Sequence, residues 1–375
     1  MKLAIVTRFP EDPRRPCGGV ESVSVNLVNA LRGIPDLDIH IVTMYPEFQK
    51  VGREDWNGVT VHRLAWTGGK ILSHVRGAGR REMQAYLRQL APDVVHAHDS
   101  MFGMTVMGLE IPRVLTIHGF VHADTRLQKN FPRLRSWIWK RAEHACWADQ
   151  PHIISISPYV RERLGGIATG VIHDIDNPIS GEFFGLSRRE RPGRIFCAAR
   201  LSYRKNILGL VQAFALLAKD GFGGELRVAG SSHDKAYLDS IHQFIRDNGL
   251  QDRVHILGRL GYEDVKKELC EASVFCLVSL EENSPMAVEE AMAVGVPVVT
   301  SSRCGMPYMV RDGESGFLVD PLNTRDIAVK LQRMLENPEL REAMSRKSRE
   351  IAEDRFHPRA IARRTYEVYK EALGQ

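Results

Sequence analysis

Short apolar runs alternate along this chain with longer stretches in which apolar residues recur at helical spacing, the sequence form of an α/β fold built on parallel sheets. In the first half the runs KLAIVT, DIHIVT, VTVHRL, DVVHAH, RVLTIH and HIISIS read as strands, and in the second half RIFCAAR, ELRVAG, VHILG, SVFCLVSL, PVVTS and GFLVD do. Between the two sets, over IHDIDNPISGEFFGLSRRERPGRIF, periodicity lapses while charge, proline and glycine rise, which predicts a linker near residues 180 to 193. A length of 375 residues, at about 150 per domain, agrees with two domains, each large enough to bury its own core. The prediction is a pair of doubly wound, Rossmann-like domains facing a cleft at the carboxyl ends of their strands.

The loops that follow strands should therefore carry the chemistry. After KLAIVT comes CGGVESVSVNLVNALRG, in which Val20, Val23, Leu27, Ala30 and Leu31 share helical spacing, Gly33 marks a stop and Gly18-Gly19 stand just before the helix. Glycines there let a phosphate or sugar approach the backbone at a helix N-terminus that favours negative charge. A plain strand-to-helix turn reads the same way. The pair is not a G-x-G-x-x-G fingerprint, so the best evidence for a nicotinamide cofactor is missing. After RIFCAAR, Arg200 ends the strand and Asn206 is placed as an N-cap before Ile207, Leu210, Val211, Phe214 and Leu217 on one helix face. Arg200 and Lys205 flank that helix start, a bidentate donor and a point charge suited to a diphosphate.

A third such loop, EENS, follows SVFCLVSL. Ser284 suits a cap, Pro285 the first helical position, and Gly295 with Pro297 closes the helix. Met286, Ala287, Val288, Ala291, Met292, Ala293 and Val294 make it apolar on nearly all sides, which means burial. Yet Glu289 and Glu290 lie within it, about 100° apart around the axis. An ionised carboxylate buried without a partner is costly, so a hydrogen-bonding ligand is expected at one of them. Periodicity does not say which.

Composition narrows the class. With 43% hydrophobic and 26% charged residues the chain is an ordinary globular protein, and a formal charge of +5 is too small to argue for a nucleic-acid partner. The charge is unevenly spread: TRLQKNFPRLRSWIWKRA, residues 125 to 142, holds Arg126, Lys129, Arg133, Arg135, Lys140 and Arg141 with no acidic residue, Trp137 and Trp139 lie inside it and Trp147 follows. Residues 125–147 read either as a packed helix with a solvated basic side or as a face for an anionic membrane or an acidic substrate. The N-terminus, MKLAIVTRFPEDPRR, lacks the features of a signal peptide. No run approaches the roughly 18 apolar residues of a membrane span, and the six cysteines form no C-x-x-C pair. A cytoplasmic, reduced protein is expected, at most peripheral at the inner face of the membrane. Asp174-Ile175-Asp176 is a D-x-D without a glycine-rich partner loop and reads as structural. His96-Ala97-His98 puts two imidazoles on one strand face, but zinc there would need further ligands.

A loop Glu, seven residues, then a helical Glu before AMAVGVPVV resembles the signature of retaining glycosyltransferase family 4, enzymes of the two-domain GT-B fold. The resemblance runs through nearly the whole chain: GGVESVSVNLVNAL, LTIHG, ARLSYRKN, ENSPMAVEEAMAVGVPVVTS and GESGFLVDP occur in order. Where the commonest family pattern has Gly-Phe-Gly after the first Glu, this chain has Asn283-Ser284-Pro285.

The resemblance implies an acceptor-binding domain over residues 1–182, a nucleotide-sugar-binding domain over 183–355, and a helix over 356–375 that crosses back to the first. It implies Glu290 for the ribose hydroxyls, Glu282 beside the transferred sugar, Arg200 and Lys205 on the diphosphate, and His118 near the reacting sugar. Met286 and Ala287 would supply helix-start amides, with Gly18, Gly19, Gly230, Leu260 and Ser284 completing the donor set. No metal and no cofactor are implied; the nucleoside-diphosphate sugar, of UDP or GDP type, is a substrate. The acceptor would be a glycan, a lipid-linked glycan or a small molecule, within cell-surface polysaccharide or glycoconjugate synthesis. Rival readings are a sugar-nucleotide epimerase or phosphorylase on a similar scaffold, or a non-catalytic sugar-nucleotide-binding subunit. Front-face departure and double displacement both remain open.

Overall fold

The computed structural model describes residues 1–46, 51–66, 70–126 and 131–375. The chain divides into two units, Met1–Pro178 with Pro358–Gln375, and Ile179–His357. The division falls just before the stretch predicted as linker. Residues 180 to 193 belong to the second unit: Gly181–Gly185 forms a 3-10 turn, and the amides of Arg189 and Arg191 donate to the carbonyls of Cys270 and Glu271 at 2.7 and 2.9 Å. Their polar composition hid this backbone bonding.

The first unit is built on β1 (Lys2–Val6), β2 (Asp38–Thr43), β3 (Gly52–Trp56), β4 (Val59–Arg63), β5 (Val94–His98), β6 (Arg113–Ile117), β7 (His152–Ser155) and β8 (Val171–Asp174). Among the described residues they form one eight-stranded sheet in the order β3-β4-β2-β1-β5-β6-β7-β8. It is parallel except where β3 runs antiparallel to β4. Successive residues of β1 serve opposite faces. Leu3 and Ile5 pack with Val28, Leu31, Ile361 and Tyr369, while Ala4 and Val6 pack with Val95, Leu115, Ile117 and Trp147. Both faces are thus covered, as a parallel sheet requires. The helix Pro358–Ala372 belongs to one of these layers, against the helix Gly19–Leu31.

Two strands were not anticipated. The strand β3 is GREDW, exposed along most of its length, and β8 is VIHD, also largely open to solvent. Edge strands need no buried apolar face, so hydrophobic periodicity does not mark them. Asp174, the first carboxylate of the D-x-D, ends β8 and pairs with Arg161 at 2.6 Å.

The second unit is built on β9 (Arg194–Ala198), β10 (Glu225–Ala229), β11 (Val254–Gly258), β12 (Val274–Leu277), β13 (Val298–Ser301) and β14 (Gly316–Val319). Among the described residues they form a six-stranded sheet in the order β11-β10-β9-β12-β13-β14. Every pairing in it is parallel. In each sheet the winding reverses at one place, between β1 and β5 in the first unit and between β9 and β12 in the second. Splayed loops at such a reversal open a crevice outside the carboxyl ends of the strands.

Candidate active site

At the reversal in the second unit, the residues after β9 and those after β12 meet. Tyr203–Lys205 forms a 3-10 turn, and the Nζ of Lys205 donates to Oε1 of Glu282. Arg204 stands 3.5 Å from the same oxygen. The backbone fixes the pair as well: the Leu280 amide donates to the Arg204 carbonyl and the Gly305 amide to the Glu282 carbonyl, each at 2.8 Å. Burial pushes the Glu282 carboxyl up, but Lys205 and Arg204 outweigh it and hold the group below its ordinary value. It is an ionised carboxylate. Arg200 is exposed and makes no hydrogen bond or ion pair among the described residues. Its flanking amides, Ala199 and Leu201, donate to the carbonyls of Ala229 and Ser231 at 2.9 Å.

That crossing explains Gly230. Its φ is +147°, and a Cβ there would lie 1.8 Å from the carbonyl oxygen of Ala199, so packing alone demands glycine. Leu260 lies two residues past β11, half-buried, before the helix Tyr262–Glu271.

The helix Met286–Val294 answers the question that periodicity left open. Glu289 is fully buried and accepts from the Ser284 hydroxyl at 2.5 Å. Ser284 is therefore not the N-cap predicted for it; Pro285 occupies that position, and the serine hydroxyl is used by Glu289. Glu290 is only partly covered. No hydrogen bond or ion pair reaches it among the described residues, and desolvation drives its carboxyl up to about 8. It lies near enough to Tyr262 to act on the phenol electrostatically. The amides of Met286 and Ala287, in the first turn, have no intrahelical acceptor. Asn206 takes the predicted N-cap position, before the helix Ile207–Lys219, without the usual side-chain capping bond. Its φ is left-handed at 54°, and its Nδ2 donates to Pro321 at 2.6 Å.

At the reversal in the first unit, Gly18 caps the helix Gly19–Leu31 with extended backbone. A Cβ at Gly18 or Gly19 would meet nothing within 4 Å, so neither glycine is demanded by the protein's own packing. Glu21 organises this turn, accepting from the Cys17 amide at 2.6 Å and pairing with Arg8 at 2.7 Å. His118, just past β6, faces His98, Nε2 to Nδ1 at 3.0 Å. Burial pushes His118 down to about 4, partly offset by a hydrogen bond with Asn177. His98 falls well below the ordinary value for the same first reason, with His96 and His118 adding to it. Asp99, with φ +67°, accepts from the amides of His118 and Gly119. Burial, followed by the charge of Glu143, raises it to about 7.

The basic segment divides. Lys129 lies outside the described residues. In the helix Pro132–Asp149, Trp147 is a core residue whose Nε1 donates to Ser100 at 3.0 Å, and Trp139 is partly buried against the same core. Trp137 is 57% exposed, and Phe131 (81%), Leu134 (57%) and Ile138 (39%) are exposed with it. Among the described residues no helix is long and apolar enough to cross a membrane.

Family models match both units: residues 17–180 match Glycosyltransferase Family 4 and residues 181–351 match Glycosyl transferases group 1. The chain belongs to glycosyltransferase family 4. Proteins similar to it include the GDP-mannose:cellobiosyl-diphosphopolyprenol alpha-mannosyltransferase of Komagataeibacter xylinus, 24% identical over 96% of this chain and 91% of the relative. A glycogen synthase of Mycobacterium tuberculosis is 25% identical over 82% and 76%. Sucrose-phosphate synthase from Thermosynechococcus elongatus has the same fold, with a TM-score of 0.86 over 100% of this chain and 99% of that one at 20% identity. The Anabaena protein HepE, solved in complex with UDP, aligns with a TM-score of 0.76 over 99% and 100% at 16% identity. The fold is GT-B. As a family 4 enzyme the chain is a retaining, hexosyltransferase-type glycosyltransferase that moves a sugar from a nucleotide sugar.

Sequence reasoning missed Arg204, Glu21, Asp99 and Asn177. Arg204 had a signal, its place beside Lys205 in the loop after β9. The other three had none, because a carboxylate or amide that positions backbone looks like any surface polar residue until the fold is known.

Proposed function

We propose that the second unit binds a nucleoside-diphosphate sugar and that the acceptor is a lipid-linked glycan at an anionic membrane surface. The observation that carries the donor half is the meeting of Lys205 and Glu282 at the β9–β12 reversal, with exposed Arg200 beside it in the chain. Arg200 and Lys205 take the diphosphate, where charge grows as the glycosidic bond breaks, so they act most strongly on the transition state. Glu290, without a protein partner among the described residues, accepts from the two ribose hydroxyls. The Met286 and Ala287 amides face phosphate or sugar oxygens. Glu282, already ionised, lies by the transferred sugar; within the first unit, neutral His118 offers a hydrogen bond to an acceptor hydroxyl.

For the acceptor half, the exposed face of Phe131, Leu134, Trp137 and Ile138 stands among Arg133, Arg135, Lys140 and Arg141 with no acidic residue between them. Apolar insertion flanked by cations suits an anionic bilayer. The Komagataeibacter relative is named for a diphosphopolyprenol acceptor, which supports the same class here.

A thermal-shift screen over nucleoside diphosphates and nucleotide sugars tests the donor half: selective stabilisation by one nucleotide and its sugar is expected. Release of the nucleoside diphosphate is then followed with lipid-linked and with water-soluble glycans on anionic vesicles. Turnover with soluble glycans alone would overturn the acceptor assignment.

A further inference from the structure

The sheet of the first unit carries paired histidines on or just past neighbouring strands: His40 with His62 at 2.9 Å, His98 with His118 at 3.0 Å, and His152 with His173 at 3.1 Å. The first pair is closed by hydrogen bonds, and the second belongs to the candidate active site. His40 reaches Asp38 at 3.2 Å and His62 reaches the Tyr86 hydroxyl at 2.8 Å, and His118 is bonded to Asn177. The third pair ends differently. Glu371, from the helix Pro358–Ala372, faces both rings with Oε1 at 4.0 Å from Nδ1 of His152 and Oε2 at 4.0 Å from Nδ1 of His173. These separations are too long for hydrogen bonds.

Four angstroms is close to what an intervening ion would need. Ligand atoms about 2.0–2.2 Å from zinc at tetrahedral angles stand roughly 3.4 Å from each other. Nδ1 of His152 lies 3.1 Å from Nε2 of His173, and Nδ1 of each ring lies 4.0 Å from a Glu371 oxygen. With one ligand atom taken from each residue the three lie within 4.8 Å of one another, so a small rotation of the carboxylate closes the set. The imidazoles are the rigid part, their side chains 14% exposed on β7 and β8, whereas the Glu371 side chain is 53% exposed and free to close from solvent. Among the described residues this is the group of His, Cys, Asp and Glu whose ligand atoms all lie within 4.8 Å. The neighbouring Asp174 carboxylate is taken by Arg161, and Arg364 donates to the Asp174 carbonyl.

We propose that His152, His173 and Glu371 bind a divalent transition-metal ion, zinc by the character of the ligand set, with water in the fourth position. The ion fastens the C-terminal helix to the β7–β8 edge of the first sheet. That helix packs against the helix Gly19–Leu31. It also carries Tyr369, whose hydroxyl lies 2.7 Å from Nδ1 of His96, and the His96 ring lies tilted against that of His98 with centroids 4.4 Å apart. The clamp therefore seats the residue that braces the histidines of the candidate active site.

The full-length protein is stripped with chelator, and zinc binding is measured by equilibrium dialysis, with cobalt as a spectroscopic probe. One zinc per chain is expected, together with a d–d absorption band for cobalt. In Glu371→Gln and in His173→Ala the affinity should fall by more than about 100-fold, since losing a ligand costs at least as much as losing an outer-shell partner. His40→Ala should bind zinc like the wild type. Zinc should also slow carboxypeptidase digestion of the wild-type chain and leave Glu371→Gln unprotected. Failure to bind zinc would overturn the proposal, as would zinc binding that Glu371→Gln leaves intact. Glu371→Gln changes a half-exposed side chain, so its circular dichroism and melting temperature without metal should match the wild type.

Discussion

The Nζ of Lys205 donates to the buried carboxylate of Glu282, and Arg204 stands 3.5 Å from the same oxygen. A cation proposed for a diphosphate and a carboxylate proposed for a sugar are thus held against each other before any donor arrives. Pairing keeps the glutamate ionised despite burial and removes conformational freedom from the lysine, so less reorganisation is left for catalysis.

Replacing Lys205 by Ala should lower kcat/KM by about 100- to 1,000-fold, the usual consequence of deleting one preorganised charge donor. It should also cost about 3 kcal/mol of stability, the low end for breaking a buried pair, because Arg204 still faces Glu282. Donor turnover and chemical denaturation measure the two effects separately. Full activity in Lys205→Ala would remove the lysine from the diphosphate site. The group raises an acid-side consequence as well. Because the folded-state value of Glu282 is depressed, its contribution to stability is present above the ordinary carboxylate range and is lost as pH falls through the folded-state value. Glu282→Gln should therefore flatten acid unfolding.

Glu289 and Glu290 are adjacent in sequence and should behave oppositely. Glu289→Gln alters a buried carboxylate that accepts from Ser284 and should cost about 1–3 kcal/mol with little change in nucleotide affinity. Glu290→Gln should weaken nucleoside-diphosphate binding by about 10- to 100-fold, the worth of two hydrogen bonds to the ribose. The unliganded Glu290→Gln protein should be no less stable. The folded-state value of Glu290, about 8, lies above the unfolded one, so its contribution is complete below the ordinary carboxylate range and is lost as pH rises through about 8. The melting temperature of the wild type should fall over that window, and the glutamine variant should lack this component. Calorimetric titration with nucleotide, together with melting curves from acid to weakly alkaline pH, decides between the two residues. Undiminished nucleotide affinity in Glu290→Gln would return the ribose assignment to Glu289.

Gly230 and Gly18 separate structural from ligand-imposed glycine. Gly230→Ala would bring a Cβ to 1.8 Å from the Ala199 oxygen and should cost at least about 1–3 kcal/mol. Gly18→Ala meets open space, so its stability should stay within about 0.5 kcal/mol of the wild type. If a sugar or phosphate approaches this backbone, its activity should drop by about 10-fold or more. Equilibrium unfolding beside steady-state kinetics gives both numbers; an active Gly18→Ala enzyme would make the first loop a plain turn.

The buried strands were legible because parallel strands covered on both faces are apolar throughout, and helices between them keep their period; the strand order, and with it the switch points, was not. The edge strands β3 and β8 were not, since GREDW and VIHD face solvent and carry no such pattern. For the site, spacing located the loops but could not orient side chains within them. The roles of Glu289 and Ser284 depend on a 2.5 Å hydrogen bond that only the folded helix creates. Trp147 shows the same limit from the other side. Sequence left that segment as either a packed helix or a membrane face without sorting its tryptophans, whereas the helix turns Trp147 into the core and leaves Trp137 outward.

That outward face gives the last prediction. The helix Pro132–Asp149 is anchored on its inner side by the buried Ser136 hydroxyl, which donates to the His122 carbonyl at 2.8 Å. On the outer side, Leu134 and Ile138 lie on one stripe with Phe131 just before the helix, and the guanidinium of Arg141 lies 5.3 Å from the Trp137 ring. Each basic residue near an anionic surface contributes about 1 kcal/mol, an attraction that salt screens over about 8 Å at physiological ionic strength. Reversing the charges of Arg133, Arg135, Lys140 and Arg141 together should abolish sedimentation with anionic liposomes while leaving sedimentation with neutral ones unchanged at its baseline. Replacing Phe131 and Trp137 by Ser should weaken binding but preserve its salt dependence, because insertion and attraction are separate contributions. Thermal melting of both variants checks that the helix remains in place, since the changed side chains are exposed. Sedimentation that persists after charge reversal would assign the face to solvent and move the acceptor's membrane contact elsewhere.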